Sequence, residues 1–133
     1  MHNPSISVVI IVRNAQDTIG NALESLMKQT LPKDNFEVTV VDNNSTDNTR
    51  EIVKRYPVKL VIEEEVGNYG KLRNRGIKES KGAIIAFTDA DGLPERNWLE
   101  KMLTMHRSSP RLAGIGGAVT NFNPKNRGIL IVF

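Results

Sequence analysis

The chain has 133 residues, no cysteine and a net charge of +3, with 39% apolar, 25% charged and 5% aromatic residues. This is an ordinary single globular domain with enough chain to bury a core. It excludes a disulfide scaffold and a thiolate metal site, and the mild, dispersed charge without aromatics gives no platform for nucleic acid.

The first apolar run, Ile6–Val12, predicts a strand. Its continuous part, Val8–Val12, is too short for a signal core or a membrane span, and the cytoplasm is the default expected location. Ile19, Ala22, Leu23, Leu26 and Met27 follow at helical spacing and stop before Pro32. Phe36–Val41 predicts a second strand, and a helix containing Ile52 and Val53 is expected to start at Asp47, a good capping residue. Lys59–Ile62 predicts a third strand; Leu72 and Ile77 mark a helix expected to stop at Gly82. Ala83–Phe87 predicts a fourth strand, and Trp98, Leu99, Met102 and Leu103 a fourth helix with Pro94 near its start. Ala113–Val119 predicts a fifth strand, whose glycines 114, 116 and 117 suggest a close backbone approach.

Strands alternating with helices predict an α/β fold: a mostly parallel sheet with right-handed crossovers and helices on both faces. The continuous apolar runs Val8–Val12 and Ala83–Phe87 suit strands covered on both faces. The final run, Gly128–Phe133, is strand-like and needs a partner. The 133 residues are therefore expected to be a domain truncated at its C-terminus, or one that self-associates through this segment.

In such sheets ligands bind at the carboxyl ends of the strands. Polar residues gather there: Arg13, Asn14 and Asp17 after the first strand, Asp42 to Asp47 after the second, Glu63 to Glu65 after the third, and Thr88, Asp89 and Asp91 after the fourth. In extended geometry Asp89 and Asp91 face one side. Their mutual repulsion calls for a cation, and Mg²⁺ or Mn²⁺ prefers such oxygens together with substrate phosphates. Asp42 is placed to accept from a base N–H or a ribose hydroxyl, whereas Asn43, Asn44 and Ser45 either join it or only make the turn. Lys71, Arg73, Arg75 and Lys78 form a basic stretch whose face suits a diphosphate, with Lys78 read as solvated; Glu63–Glu65 reads as a solvated edge. No Walker-type loop or G-x-G-x-x-G follows the first strand.

Together these segments resemble family 2 glycosyltransferases, which have the GT-A (Rossmann-like) fold. Ser7–Asn14 is similar to the family's first strand and Ser25–Thr30 to the end of its first helix. Val40–Thr49 is similar to its Asp-Asp-Gly-Ser-Thr-Asp segment, Leu72–Ile77 to its Ala-Arg-Asn-x-Gly segment, and Phe87–Asp91 to its D-x-D. The resemblance implies an inverting transferase that takes a UDP- or GDP-type sugar and uses a divalent cation (Mn or Mg). It implies that Asp42 contacts the base, Arg73 the base or diphosphate, Asp89 the ribose and Asp91 the metal, while the backbone near Val12 and Asn14 lines the nucleotide pocket. The setting it implies is cytoplasmic, at the inner face of a membrane if a full-length protein carries an anchor. The sequence departs from the pattern in three places: Ile11-Val12 stands where a proline is common, Asn43-Asn44 replaces an acidic residue and glycine, and Gly92 stands where many members have another aspartate.

The family's general base comes from an acidic motif beyond the D-x-D, and no such motif is present, so neither base nor acceptor is identified; Glu95 reads as a first-turn helix residue. A non-catalytic nucleotide-binding module lacking the acceptor half is the alternative. A glycoside hydrolase fits poorly, because two carboxylates on one strand face cannot flank a sugar.

Overall fold

A computed structural model describes residues 2–109, 111, 114, 116–120 and 129–132. The chain forms two compact units, one reaching Glu100 and one starting at Lys101.

The first unit holds a parallel sheet of four strands: β1 (Ile6–Val12), β2 (Phe36–Asp42), β3 (Lys59–Ile62) and β4 (Ile84–Asp89), in the order β3-β2-β1-β4. Its helices are α1 (Ile19–Met27), α2 (Thr49–Val53) and α3 (Tyr69–Glu79); α4 (Trp98–Ser108) carries the chain into the second unit. Val9, Val41 and Leu72 form a buried cluster on the α3 side, with Ile11 and Ile85 packed against it. The alternate residues Ile6, Val8, Ile10 and Val12 are buried too, so β1 is covered on both faces, as its continuous apolar run requires. α1 buries Ile19, Ala22, Leu23 and Leu26.

Two glycines are fixed by packing. A Cβ on Gly76 of α3 would stand 2.3 Å from Val9 Cγ1, so the helix rests on β1 only because no side chain intervenes. A Cβ on Gly82 would lie 2.6 Å from the Ser7 nitrogen. Gly82 is therefore not the helix stop expected from sequence; α3 ends at Glu79, and Gly82 lets the chain pass close to β1.

Other elements also differ from expectation. β4 has β1 as its one neighbour in the described sheet, and only Ala86 of its residues is buried, with Phe87 43% exposed. Residues 94 and 95 precede α4 instead of forming its first turn. In the second unit, β5 (Gly117–Thr120) does not extend the parallel sheet but pairs antiparallel with β6 (Ile129–Val132). The apolar C-terminal run therefore has a partner within the chain. Gly114 and Gly116 precede β5, and an added Cβ on Gly114 would meet no described atom within 4 Å. Residues 112, 113 and 115 lie outside the described residues. Among the described residues no helix is long and apolar enough to cross a membrane.

Candidate functional site

Strand register brings the polar residues to one edge. Val12 pairs with Asp42, Asp42 with Ile62, and Ile11 with Asp89, so the carboxyl ends of all four strands lie side by side. A cleft of about 460 Å³ opens there, lined by Ile11, Val12, Arg13, Asn43, Val66, Gly67, Tyr69, Asp89 and Asp91 among others. A smaller one of about 290 Å³ adjoins it, sharing Ala15, Ala90 and Asp91 and adding Asn14, Asp17 and Thr18. The larger volume is that of an ordinary small-ligand site.

On one side the loops after β1 and β2 are laced together. Asn14 adopts φ 50°, which asparagine tolerates, and its N–H donates to Ser45 Oγ at 2.9 Å. Its Oδ1 accepts from the Thr46 N–H at 2.8 Å. The Ala15 N–H donates to Thr49 Oγ1 at 2.9 Å, and the Gln16 N–H to Asp47 Oδ2 at 3.2 Å. Gln16 Oε1 accepts in return from the Asn48 N–H. The Thr49 hydroxyl donates to Asp47, and this bond, with the amides of Thr49 and Gln16, holds the Asp47 carboxyl below its ordinary value. The helix is capped at Asn48 and not at Asp47 as expected; Asp47 stands one residue earlier and its Oδ1 accepts from the Thr49 N–H at 2.9 Å. Asn44 has φ 57°, a conformation that glycine or asparagine suits, which accounts for its standing where glycine is usual.

Asp42 is fully buried beneath this wall. Its Oδ1 accepts from the Ser45 N–H at 3.0 Å and from Arg50 Nε at 2.8 Å, while its Oδ2 has no partner. Arg50, unmarked by any sequence signal, is a buried carboxylate's counter-ion. Asn43 is buried as well and bonds the backbone between β3 and α3.

The other side is open. β4 ends at Asp89, and Ala90 and Asp91 lie in a turn closed by the Gly92 N–H to the Asp89 carbonyl at 3.0 Å. The two carboxylates therefore reach one cleft through a turn, not through the strand alternation expected from sequence. A Cβ on Gly92 would stand 2.8 Å from Thr88 Oγ1 and 3.2 Å from the Asp89 carbonyl oxygen, so a further aspartate there would require the Thr88 hydroxyl to move. Asp89 and Asp91 are both exposed, and neither side chain has a hydrogen bond or ion pair among the described residues.

Of the residues singled out in sequence, Val12, Asp89 and Asp91 line the larger cleft and Asn14 the smaller. Asp42 lies under the wall, next in sequence to the lining Asn43, and Arg73 is exposed on α3 without lining either cleft. Lys71 bonds Glu65 and lies 3.8 Å from Glu63, which holds Glu65 below and raises Lys71 above their ordinary values. Its charge is thus engaged on the supposed solvated edge. Val66, Gly67 and Tyr69 line the larger cleft as well, and their one sequence signal is their place between the end of a strand and the first residue of a helix.

No group of three or more metal-binding side chains occurs among the described residues. Two unpaired carboxylates fit a hard divalent cation only where other oxygens complete its shell, as a diphosphate would.

A model of glycosyl transferase family 2 matches residues 7–129. Glycosyltransferase AglE of Haloferax volcanii is 41% identical over 104 residues, covering 74% of this chain and 34% of that protein. The structure of Staphylococcus aureus TarS 1–349 superposes with a TM-score of 0.79 at 30% identity, over 94% of this chain and 38% of that one; the same protein is solved with UDP and with UDP-GlcNAc. The mannosyltransferase PcManGT of Pyrobaculum calidifontis, in complex with GDP-Man and Mn²⁺, superposes with a TM-score of 0.72 at 28% identity, over 90% of this chain and 36% of that one. The chain thus spans about a third of the length of these relatives.

Proposed function

The chain belongs to glycosyl transferase family 2 and has its GT-A, Rossmann-like fold, and from that membership we propose that it is the donor-binding part of an inverting transferase that moves a sugar from a nucleoside diphosphate to an acceptor hydroxyl. The observation that carries this reading is the cleft at the strand ends with two exposed, unpaired carboxylates, Asp89 and Asp91, on its open side. Nucleotide and metal complexes of similar folds support it.

In this reading the backbone at Val12 and Asn14 lines the nucleotide, held by the laced loops. Asp42 has an unpartnered Oδ2 that would accept from a base N–H, but it is fully buried and lines neither cleft, so this contact requires the wall above it to open. Asp89 accepts from the ribose. Asp91 would hold the divalent cation, Mn²⁺ or Mg²⁺, which would supply charge neutralisation for the leaving diphosphate. Arg73 would reach the base or diphosphate only from its place on α3, outside the lining. The acceptor oxygen bonds the anomeric carbon as the bond to the diphosphate oxygen breaks, and the acceptor proton goes to a base outside the residues assigned here.

The test is calorimetric titration of the protein with UDP and with GDP in the presence of Mn²⁺. Binding that is saturable and lost in Asp91→Ala is expected. No binding of either nucleotide, or binding indifferent to Asp91→Ala, would sink the reading.

A further inference from the structure

Asn43 stands where the family resemblance leads one to expect a carboxylate, and the structure gives its amide a specific task. The side chain is 4% exposed. Its Nδ2 donates to the carbonyls of Glu63 at 3.2 Å and Glu65 at 2.7 Å, and its Oδ1 accepts from the Gly67 N–H at 3.0 Å. These partners lie 20 to 24 residues away, on the stretch joining β3 to α3.

Apart from Asn43, that stretch is tied at its surface by Lys71, which pairs with Glu65 and lies 3.8 Å from Glu63, and at its end by the Asn68 side chain, which accepts from the Lys71 N–H at 3.2 Å. The bond from the Glu63 N–H to the Asp42 carbonyl ends the β3 ladder, and Gly67 and Asn68 then take φ 95° and 56° before α3 begins. Yet Val66, Gly67 and Tyr69 line the larger cleft together with Asn43. A carboxylate can replace one of the three bonds, because it accepts from Gly67. It cannot replace the other two, because it has no proton to give and would face two carbonyl oxygens.

We propose that Asn43 is a positioning residue that fixes the β3–α3 wall of the cleft, and that an amide is required there because two of its three partners are acceptors. The consequence for ligand binding rests on the donor-cleft reading above; the consequence for the wall does not.

The full chain is compared as wild type, Asn43→Ala and Asn43→Asp, by amide hydrogen exchange over residues 63–67 and by UDP titration with Mn²⁺. In Asn43→Ala the Gly67 amide loses its acceptor, and its exchange is expected to accelerate by about tenfold or more, with affinity down about tenfold. In Asn43→Asp, which keeps the size of the side chain, Gly67 stays protected while affinity falls. The new carboxyl, crowded by carbonyls, takes up a proton more readily than usual and can then donate. The ratio of wild-type to variant affinity therefore shrinks between about pH 8 and about pH 5, which a merely structural defect would not produce. Unchanged Gly67 exchange in Asn43→Ala, or wild-type affinity in Asn43→Asp at neutral pH, overturns the proposal. Failure of the wild type to bind UDP or GDP would instead overturn the donor-cleft reading, and Gly67 exchange would still decide the role of Asn43.

Discussion

The two sides of the cleft treat polar groups in opposite ways. After β1 and β2 the side chains of Asn14, Asp42, Asn43, Ser45, Asp47 and Thr49 all bond to the protein itself. After β4, the side chains of Asp89 and Asp91 bond to nothing described. Both are strand-end clusters rich in Asp and Asn, and composition does not tell them apart. The laced side is a scaffold whose groups are already satisfied, so it lends shape and main-chain contacts. The open side holds two like charges with no ion-pair partner among the described residues, an arrangement that a bound cation relieves. Asp42 belongs to both, with one oxygen engaged and one without a partner.

This contrast can be broken from either side. The largest effect is expected from Asp89→Asn/Asp91→Asn, which should weaken Mn²⁺-dependent nucleotide affinity about a hundredfold or more while leaving the melting temperature unchanged or higher, because only like-charge repulsion is removed. Calorimetry and thermal melts on one preparation check both halves; a large loss of stability would mean that the open side is scaffold after all. Next is Arg50→Met, which strands the fully buried Asp42 carboxylate. Because Arg50 itself is partly exposed, the loss should be about 2 kcal/mol in denaturant unfolding, below the full cost of breaking a buried pair. Thr49→Val keeps the shape but leaves the Ala15 N–H without its acceptor, for about 1–2 kcal/mol, and loosens exchange at Ala15.

The smallest effect is expected at Asp47. Its carboxyl is held below the ordinary value in the folded chain. Its stabilising contribution is therefore present above the unfolded value near pH 4 and is lost as pH falls through the folded one. Asp47→Asn should melt with a shallower pH dependence than wild type between about pH 5 and about pH 2. Parallel slopes would remove Asp47 from the lacing.

Much of this was legible from residues alone. The apolar runs marked β1 to β4 with bounds close to those observed: for β1 and β2 because a strand buried on both faces needs a continuous apolar sequence, while β3 and β4 are apolar but only partly buried. Asp89 and Asp91 could be read as a site because a strand leads straight into them. The antiparallel pairing of β5 with β6 was not legible, because an apolar run does not state the direction of its partner. Nor was the role of Gly82, whose reason is Ser7, 75 residues earlier.

The sequence by itself determined the alternation of strands and helices and which polar residues reach the strand ends, since both follow from local periodicity. Only the tertiary structure decided which of those polar groups the protein keeps for itself. Asn43 meets the chain between β3 and α3, Asp42 meets Arg50, and Thr49 meets Ala15. The carboxylates of Asp89 and Asp91 meet no donor among the described residues. A hydrogen bond requires a partner within about 3 Å, and for most of these groups the fold brings that partner from tens of residues away.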